Sequence, residues 1–179
     1  GYTEPEAGTD LASLKTSAVV DGDDYIITGQ KVFTSLALHA DYIWLAVRTN
    51  PDAPKHKGIS LVIVDAKAKG VSMTPTPMLG DNPLCTTYYE EVRVPRANLV
   101  GEENQGWKII TTQLNHERVA LLSAGMVART LEDVTAWARE TRATDGRRIA
   151  DWPWVQANLA RVHARLEVLR LLNWRQACS

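Results

Sequence analysis

The sequence predicts an α+β protein, with an antiparallel β-barrel or sandwich domain followed by antiparallel helices of a helical bundle. Short β-branched and aromatic runs separated by turn residues fill the first half of the chain, and no helical pattern lies between them, which favours antiparallel over parallel pairing. In the second half, apolar residues recur at helical spacing. We therefore expect a β domain over residues 1–98 and a helical part over residues 99–179.

The β domain is predicted to contain a strand at each of its β-branched and aromatic runs. These runs cover residues 16–20, 25–30, 42–48, 59–65 and 88–94. An Asp-Gly-Asp-Asp segment at 21–24 supplies the residues of a tight hairpin turn between the first two runs. Residues 50–58, with two prolines, are expected to form a longer surface connection.

The helical part is predicted to contain a pair of helices. The first covers about residues 106–144, with a mild bend after Gly125, and an Asp-Gly pair at 145–146 ends it. The second begins near Asp151, a suitable N-cap residue, with Pro153 in its first turn.

The bulk composition favours a globular protein that binds small molecules. The chain has 179 residues, of which 45% are hydrophobic and 23% charged, and a formal net charge of -1. A chain of this length and composition can bury a hydrophobic core. Its net charge gives no extended basic surface for nucleic acid or an anionic membrane. A local basic patch that binds a phosphorylated ligand is compatible with this charge. Cys85 and Cys178 lack metal-site or disulfide-scaffold spacing, which favours a reducing compartment.

The termini and the absence of targeting signals bear on the location and the completeness of the chain. No signal-peptide pattern is present, nor an apolar run near the roughly 20 residues that span a bilayer, so we expect a cytoplasmic location. Gly1 is not preceded by an initiator Met, and Ser179 stops inside a helical pattern without a capping signal. We interpret the chain as an internal piece of a longer protein.

Glu117 is a candidate general base. It lies in a Leu-Asn-His-Glu-Arg segment at 114–118, on the first predicted helix and directly before an apolar run. Partial desolvation raises the pKa of a carboxylic acid toward the range in which a base works at neutral pH. The alternative is a solvated Glu, or one neutralised by Arg118 or by a cation one turn away.

Two further segments carry groups suited to a ligand. Residues 2–10 are dense in hydroxyls and include Gly8, where the backbone can approach a ligand closely; a turn before a strand is the alternative. Residues 29–35 hold the only Phe of the chain, Phe33, beside two hydroxyls. An aromatic ring there packs either on a conjugated cofactor or in the core.

Two other classes of enzyme are disfavoured by the pattern of chemistry-bearing residues. The four histidines show no i, i+4 pairing and no Cys partner, which argues against a metal enzyme; they are His39, His56, His116 and His163. A nucleophilic hydrolase is disfavoured because the chain has no Gly-x-Ser-x-Gly segment.

Four segments, in their order and spacing, together resemble the acyl-CoA dehydrogenase family. They are the Thr-Glu-Pro to Gly-Thr-Asp segment at 3–10, the segment at 29–35, Val-Arg-Val-Pro with Asn-Leu-Val-Gly at 92–101, and Gly-Trp through His-Glu-Arg at 106–118. The resemblance implies that residues 1–98 form the family's middle β domain. The remainder would form the first helices of its C-terminal helical domain.

The resemblance implies FAD as the cofactor. The residues it assigns to FAD are Tyr2, Thr3, Gly8, Thr9, Phe33, Ser35 and Arg142. Groups around Tyr2 and Thr3 would contact the flavin ring, Phe33 would pack on that ring, and Ser35 would lie near its reactive nitrogen. Arg142 would contact the FAD of a neighbouring subunit.

The implied reaction is α,β-dehydrogenation of an acyl-CoA thioester to 2-enoyl-CoA. Glu117 would remove the α-proton while hydride passes from the β-carbon to flavin, and Arg118 would help to shape the site. The implied partners are the acyl-CoA substrate, an electron-transfer flavoprotein or similar acceptor, and homologous subunits in a homo- or hetero-tetramer or dimer.

The sequence departs from the family pattern in two places. Many members have Arg-x-x-Phe-Gly where residues 142–146 replace Phe with Asp145. Residues 83–92 depart from the commoner Ser-x-Thr pattern that precedes Val-x-Val-Pro. They resemble instead the actinobacterial-type branch of the family, which includes enzymes of steroid side-chain catabolism, some built from two homologous subunits. Three alternatives stay open: a non-catalytic subunit that completes a partner's site, a flavin oxidase on the same fold, and a base in a later segment of the protein.

Overall fold

The computed structural model describes residues 1–79, 83–121 and 123–178, apart from the side chains of residues 118–121. The chain divides into two compact units, Gly1–Thr111 and Thr112–Ser179. The first unit contains the strands, and the second contains most of the helical residues. One helix starts in the first unit and continues into the second, so the predicted division at residue 98 stays a prediction.

A single seven-stranded sheet forms the first unit. Its strands are β1 (Ser17–Asp21), β2 (Asp24–Ser35), β3 (Tyr42–Arg48), β4 (Ile59–Asp65), β5 (Val71–Thr76), β6 (Leu84–Pro95) and β7 (Leu99–Val100). Their order is β5-β6-β2-β1-β3-β4-β7, and each neighbouring pair is antiparallel except β1 with β3. The α+β class is confirmed, and the described strands form an open sheet with β5 and β7 at its edges.

The predicted strands are found, with changes at their ends. β3 and β4 have the predicted bounds, and β1 is shifted by one residue. β2 and β6 are longer than predicted because they pair with each other through Ser35 and Leu84. The sequence pattern misses β5, a mostly exposed edge strand that contains a proline, and β7, which has only two residues.

The core of the sheet comes from alternate positions of its strands. Tyr25 and Ile27 of β2, Leu45 of β3, Val62 of β4 and Val92 of β6 are fully buried and belong to one cluster. This spacing of two residues follows from the pleat, which sends successive side chains to opposite faces. Each fully buried aliphatic side chain contributes about 1.5–3 kcal/mol.

Three helices follow the strands. They are α1 (Gly106–Leu121), α2 (Ala124–Glu140) and α3 (Pro153–Ala177). The prediction of one helix over 106–144 is wrong, because Ser123 has an extended backbone with ψ 117° and takes the N-cap position of α2, without a hydrogen bond from its side chain. Serine is a favoured N-cap residue, and that position requires an extended conformation. Leu122 lies outside the described residues, and Thr141, also extended, ends α2.

The start of α3 differs from the prediction by one residue. Pro153 lies in its first turn as predicted, but the N-cap is Trp152 rather than Asp151. Asp151 ends a short 3-10 turn, where its carboxylate accepts a hydrogen bond from Arg148 at 2.9 Å. α2 and α3 pack against each other. Among the described helices none has both the length and the hydropathy needed to cross a bilayer.

The segment 103–106 fixes the first turn of α1 to the sheet. The Tyr25 hydroxyl donates to Glu103 at 2.6 Å, and the Asn104 N–H donates to the Ser60 hydroxyl at 2.8 Å. A Cβ atom at Gly106 would lie only 2.8 Å from the backbone of Ser60. The helix can therefore begin this close to β4 only with glycine at its first position.

Candidate functional site

The hydroxyl-rich segment 2–9 forms a compact loop. Glu4 and Ala7 exchange backbone hydrogen bonds of 3.1 Å and are both buried. Gly8 and Thr9 follow on the exposed side of this turn. A Cβ atom at Gly8 would lie 3.8 Å from the Thr3 methyl group, so Gly8 lies beside Thr3 without being required there sterically.

A buried ion pair joins this loop to β2. The Lys31 ammonium donates to Glu4 at 2.8 Å, and the two side chains are 0% and 8% exposed. Sequence reasoning misses this pair, although a signal for it exists. Lys31 shares the alternating phase of the buried residues Tyr25 and Ile27, so its position in β2 faces the interior.

Burial and charge act in opposite directions on the two ionisable groups. Burial by itself would raise the pKa of Glu4, but the charge of Lys31 and the hydrogen bonds from Lys31, Thr16 and the Lys15 N–H together lower that pKa. For Lys31, burial lowers the pKa to about 8, against the raising effect of Glu4. At neutral pH the pair is therefore charged on both sides.

The end of β2 presents Phe33 to solvent. Phe33 has a left-handed backbone with φ 59°, and its side chain is 64% exposed. The register between β2 and β6 shifts between Lys31 and Thr34, which marks a bulge around Phe33. Ser35, also exposed, closes the strand opposite Leu84. The structure therefore does not place this aromatic ring in the core.

Hydrogen bonds bring the loop to the residues that precede Phe33. The Val32 N–H donates to the Thr3 carbonyl at 2.8 Å, and the Lys31 ammonium donates to the Tyr2 carbonyl at 3.1 Å. The indole N–H of Trp44 donates to the Tyr2 hydroxyl at 2.8 Å. Tyr2 and Thr3 are thus held beside β2, the strand that contains Phe33.

Several hydroxyls at this junction have no protein partner. Among the described residues, the side chains of Thr3, Thr9 and Ser35 make no hydrogen bond, and the buried Thr34 hydroxyl also lacks one. A buried polar group without a partner costs about 1–3 kcal/mol. Unpaired hydroxyls on this loop, and on the strand that carries an exposed aromatic ring, are groups that a flat ligand with polar edges, such as a flavin, can use.

The helical unit contains the candidate base. Glu117 is exposed on α1, as is His116, and the side chain of Arg118 lies outside the described part of the chain. The described ranges contain no group of His, Cys, Asp and Glu side chains that could hold a metal ion. The roles of Glu117 and Arg118 stay predictions.

The turn after α2 is closed by its own side chains. Arg142 donates to the Gly146 carbonyl at 2.8 Å, and Asp145 pairs with Arg147 at 2.7 Å. The Arg147 guanidinium lies 4.5 Å from the centre of the Trp152 ring, a cation–π contact. Asp145, where the family pattern has Phe, is therefore engaged with a neighbour in its own turn.

Two family models match the chain. Residues 1–92 match the model described as acyl-CoA dehydrogenase, middle domain, and residues 104–178 match the model described as acyl-CoA dehydrogenase, C-terminal domain. The first match covers most of the sheet, and the second covers the three helices.

Individual proteins give the same result. FadE26, an acyl-CoA dehydrogenase of Mycobacterium tuberculosis, is 57% identical over 100% of this chain and 46% of its own length. The ChsE4-ChsE5 complex from Mycobacterium tuberculosis matches at 57% identity and TM-score 0.88, over 99% of this chain and 46% of that one. A Tcur3481-Tcur3483 steroid ACAD matches at 55% identity and TM-score 0.88, over 98% of this chain and 44% of that one. The chain spans less than half the length of these relatives.

Proposed function

The chain belongs to the acyl-CoA dehydrogenase family, and we propose that the protein oxidises an acyl-CoA thioester to the 2-enoyl-CoA with FAD as its cofactor. The observation that carries this proposal is the hydrogen bond from the Val32 N–H to the Thr3 carbonyl, at 2.8 Å. It holds a loop with unpaired hydroxyls beside the strand that presents Phe33. Such a junction suits the edge and the face of a flavin ring.

The residues of this junction would bind and orient the cofactor. Phe33 would pack its exposed ring on the flavin, while the hydroxyls of Thr3 and Ser35 would donate hydrogen bonds to its polar edge. Tyr2, Gly8 and Thr9 would complete the contact from the loop. When bound, FAD accepts the hydride that leaves the β-carbon of the substrate.

Glu117 is the residue to which we assign proton removal. Its carboxylate takes the proton from the α-carbon, and the electron pair left there forms the new double bond as hydride leaves the β-carbon. The support is its place in the 114–118 segment, within the region that matches the C-terminal family model. A carboxylate that is exposed on α1 becomes an effective base when substrate displaces water from it. Arg118 is proposed to shape the same site.

The substrate is proposed to be the CoA thioester of a steroid side chain. The support is the 55% identity to a protein described as a steroid ACAD. The electron acceptor is proposed to be an electron-transfer flavoprotein, and the neighbouring subunit a homologous chain, as in the ChsE4-ChsE5 complex.

A second candidate function is that of a non-catalytic subunit of a heteromeric acyl-CoA dehydrogenase. Asp145 and Arg142 favour it. Arg142 is bound to the Gly146 carbonyl at 2.8 Å, and Asp145 puts a carboxylate, paired with Arg147, where the family has an aromatic ring. A carboxylate near a diphosphate is unfavourable because like charges repel. This turn therefore suits an interface without a bound diphosphate.

One experiment tests both candidates. The full-length protein is purified alone and with a homologous subunit, bound flavin per chain is measured, and a steroid side-chain acyl-CoA is added without oxygen. Flavin that bleaches with this thioester supports the proposed dehydrogenase. Flavin absent from both preparations contradicts the dehydrogenase and favours the non-catalytic subunit. Flavin that is bound but does not bleach with steroid or straight-chain thioesters also contradicts the dehydrogenase. Rapid reoxidation of the bleached flavin by oxygen alone would indicate an oxidase instead.

A further inference from the structure

We infer that the buried pair of Glu4 and Lys31 positions the 2–9 loop for cofactor binding. Neither residue is among the groups assigned to FAD above, and neither side chain faces solvent. The inference rests on the proposed function, because it concerns how the proposed flavin site is held in shape. Glu4 and Lys31 are positioning residues in this account and do not touch the cofactor.

The Glu4 carboxylate connects the loop to β2 and to the segment that precedes β1. One of its oxygens accepts hydrogen bonds from the Thr16 N–H at 2.9 Å, the Thr16 hydroxyl at 2.7 Å and the Lys31 ammonium at 2.8 Å. The other oxygen accepts from the Lys15 N–H at 2.7 Å. The loop is therefore fixed at once to the segment before β1 and to the middle of β2.

Lys31 extends this connection to the residue that begins the loop. Its ammonium also donates to the Tyr2 carbonyl at 3.1 Å. A lysine that is fully buried is uncommon, and removing two charges from water is energetically unfavourable. An apolar pair of similar volume would often stabilise a fold as well or better. The ion pair adds conformational specificity, because its hydrogen bonds can form in only one arrangement of the loop and β2.

The two residues flank the proposed flavin contacts in sequence. Glu4 directly follows Thr3, and Lys31 lies two positions before Phe33. The Val32 N–H to Thr3 carbonyl bond, 2.8 Å long, lies between them. If the pair is broken, Thr3 and Tyr2 are expected to shift relative to Phe33, although the sheet itself keeps its core.

The same loop offers a matched control. Lys15 and Glu6 also form an ion pair, at 2.6 Å, but their side chains are 74% and 77% exposed. Exposed pairs contribute little to stability because water screens them. Removing the Lys15 side chain leaves its backbone N–H bond to Glu4 in place. The variant Lys15→Met thus removes the charge that pairs with Glu6 of this loop and leaves both side chains of the buried pair in place.

The test compares Lys31→Met, Glu4→Gln and their double variant with Lys15→Met in the full-length protein with its homologous subunit. The FAD dissociation constant is measured by flavin fluorescence, and visible circular dichroism of bound flavin is recorded at saturating FAD. We expect at least a tenfold weaker FAD affinity in each single variant, a changed dichroism, and a loss in the double variant smaller than the product of the two single losses. Lys15→Met should match wild type.

Amide hydrogen exchange in the FAD-free protein separates positioning from general destabilisation. We expect exchange in residues 2–9 of the single variants to increase more than exchange in β3 and β4, where any increase should match the measured loss of global stability. If Lys31→Met does not fold, Glu4→Gln, which keeps the size of the side chain, decides the question. Wild-type affinity and dichroism in Glu4→Gln would overturn the inference, as would an increase in exchange that is as large in β3 and β4 as in residues 2–9. If wild type itself binds no FAD, the proposed function fails as well, and that outcome is distinct.

Discussion

Phe33 and Leu36 both have left-handed backbones, with φ of 59° and 58°, at the end of β2. Both side chains are exposed, at 64% and 59%. A non-glycine residue in this region costs roughly 1–2 kcal/mol. Strain at positions that bury little apolar surface is a feature of ligand sites, where the backbone is held ready for a bound molecule.

Phe33→Gly is expected to weaken FAD binding with little effect on the stability of the FAD-free protein. Relief of the left-handed strain offsets the entropy that glycine loses on folding, about 0.5–1 kcal/mol, and the exposed ring buries little surface. The change in the free energy of unfolding should stay below about 1 kcal/mol. Urea unfolding and FAD titration measure the two effects separately.

Leu36→Gly is the matched control, because it relieves the same backbone conformation at a neighbouring exposed residue. It should leave FAD affinity near that of wild type. Equal losses of affinity in the two variants would show that the backbone of this segment, and not the Phe33 ring, binds the flavin.

Glu117→Gln is expected to lower the rate of flavin reduction by acyl-CoA about 10²–10⁴-fold, the usual contribution of a general base. The amide has nearly the same size but cannot accept the α-proton. Single-turnover bleaching of flavin in the absence of oxygen measures this step. The control is Glu132→Gln, which changes an exposed Glu on a different helix, α2. The flavin of this variant should bleach at the wild-type rate. A Glu117→Gln protein that bleaches like wild type would move the base to another segment.

Glu4→Gln is expected to reduce stability at neutral pH and to do so less in acid. The pKa of Glu4 is lowered below its ordinary value of 4.5, since Lys31, Thr16 and the Lys15 N–H outweigh the raising effect of burial. A carboxyl group with a lowered folded pKa contributes stability above its unfolded pKa, and this is lost as pH falls through the folded value. The wild-type advantage should therefore shrink below pH 4.5.

Urea unfolding of wild type and Glu4→Gln at a series of pH values measures this difference. Glu6→Gln serves as the control, because the Glu6 carboxylate also pairs with a lysine but is exposed. Water screens that pair, so its removal should change stability little at any pH. A wild-type advantage over Glu4→Gln that grows in acid would contradict the assignment of charge to the buried pair.

The strands that the sequence predicts best are those with their own apolar signal. β3 and β4 are continuous runs of β-branched and aliphatic residues, and their predicted bounds agree with the structure. β5 and β7 are stabilised by pairing with β6 and β4 rather than by a buried face of their own. Such strands depend on tertiary contacts, which a periodicity in the sequence does not report.

The candidate site divides in the same way. The loop at 2–9 and the strand end at 29–35 are visible as motifs, and the structure brings them together through Val32 and Thr3. The pair of Glu4 and Lys31 joins residues 27 positions apart, and charged residues are usually exposed. In the sequence, the burial of Lys31 is indicated only by its position at an even spacing from the buried Tyr25 in β2. The contact between Glu4 and Lys31 that joins the two motifs is therefore seen only in the structure.

Tyr25→Phe is expected to lower the free energy of unfolding by about 1.5–3 kcal/mol, the range for a hydrogen bond to a charged group. The Tyr25 ring is fully buried, so phenylalanine keeps its packing, but the 2.6 Å bond to Glu103 is lost. Because Glu103 lies just before α1, amide exchange of residues 103–106 should also become faster. Tyr42→Phe, at a residue that is 64% exposed, removes a hydroxyl without burial and should change neither quantity. Equal stability of the Tyr25 and Tyr42 variants would show that the anchoring of α1 depends on Asn104 and Gly106 alone.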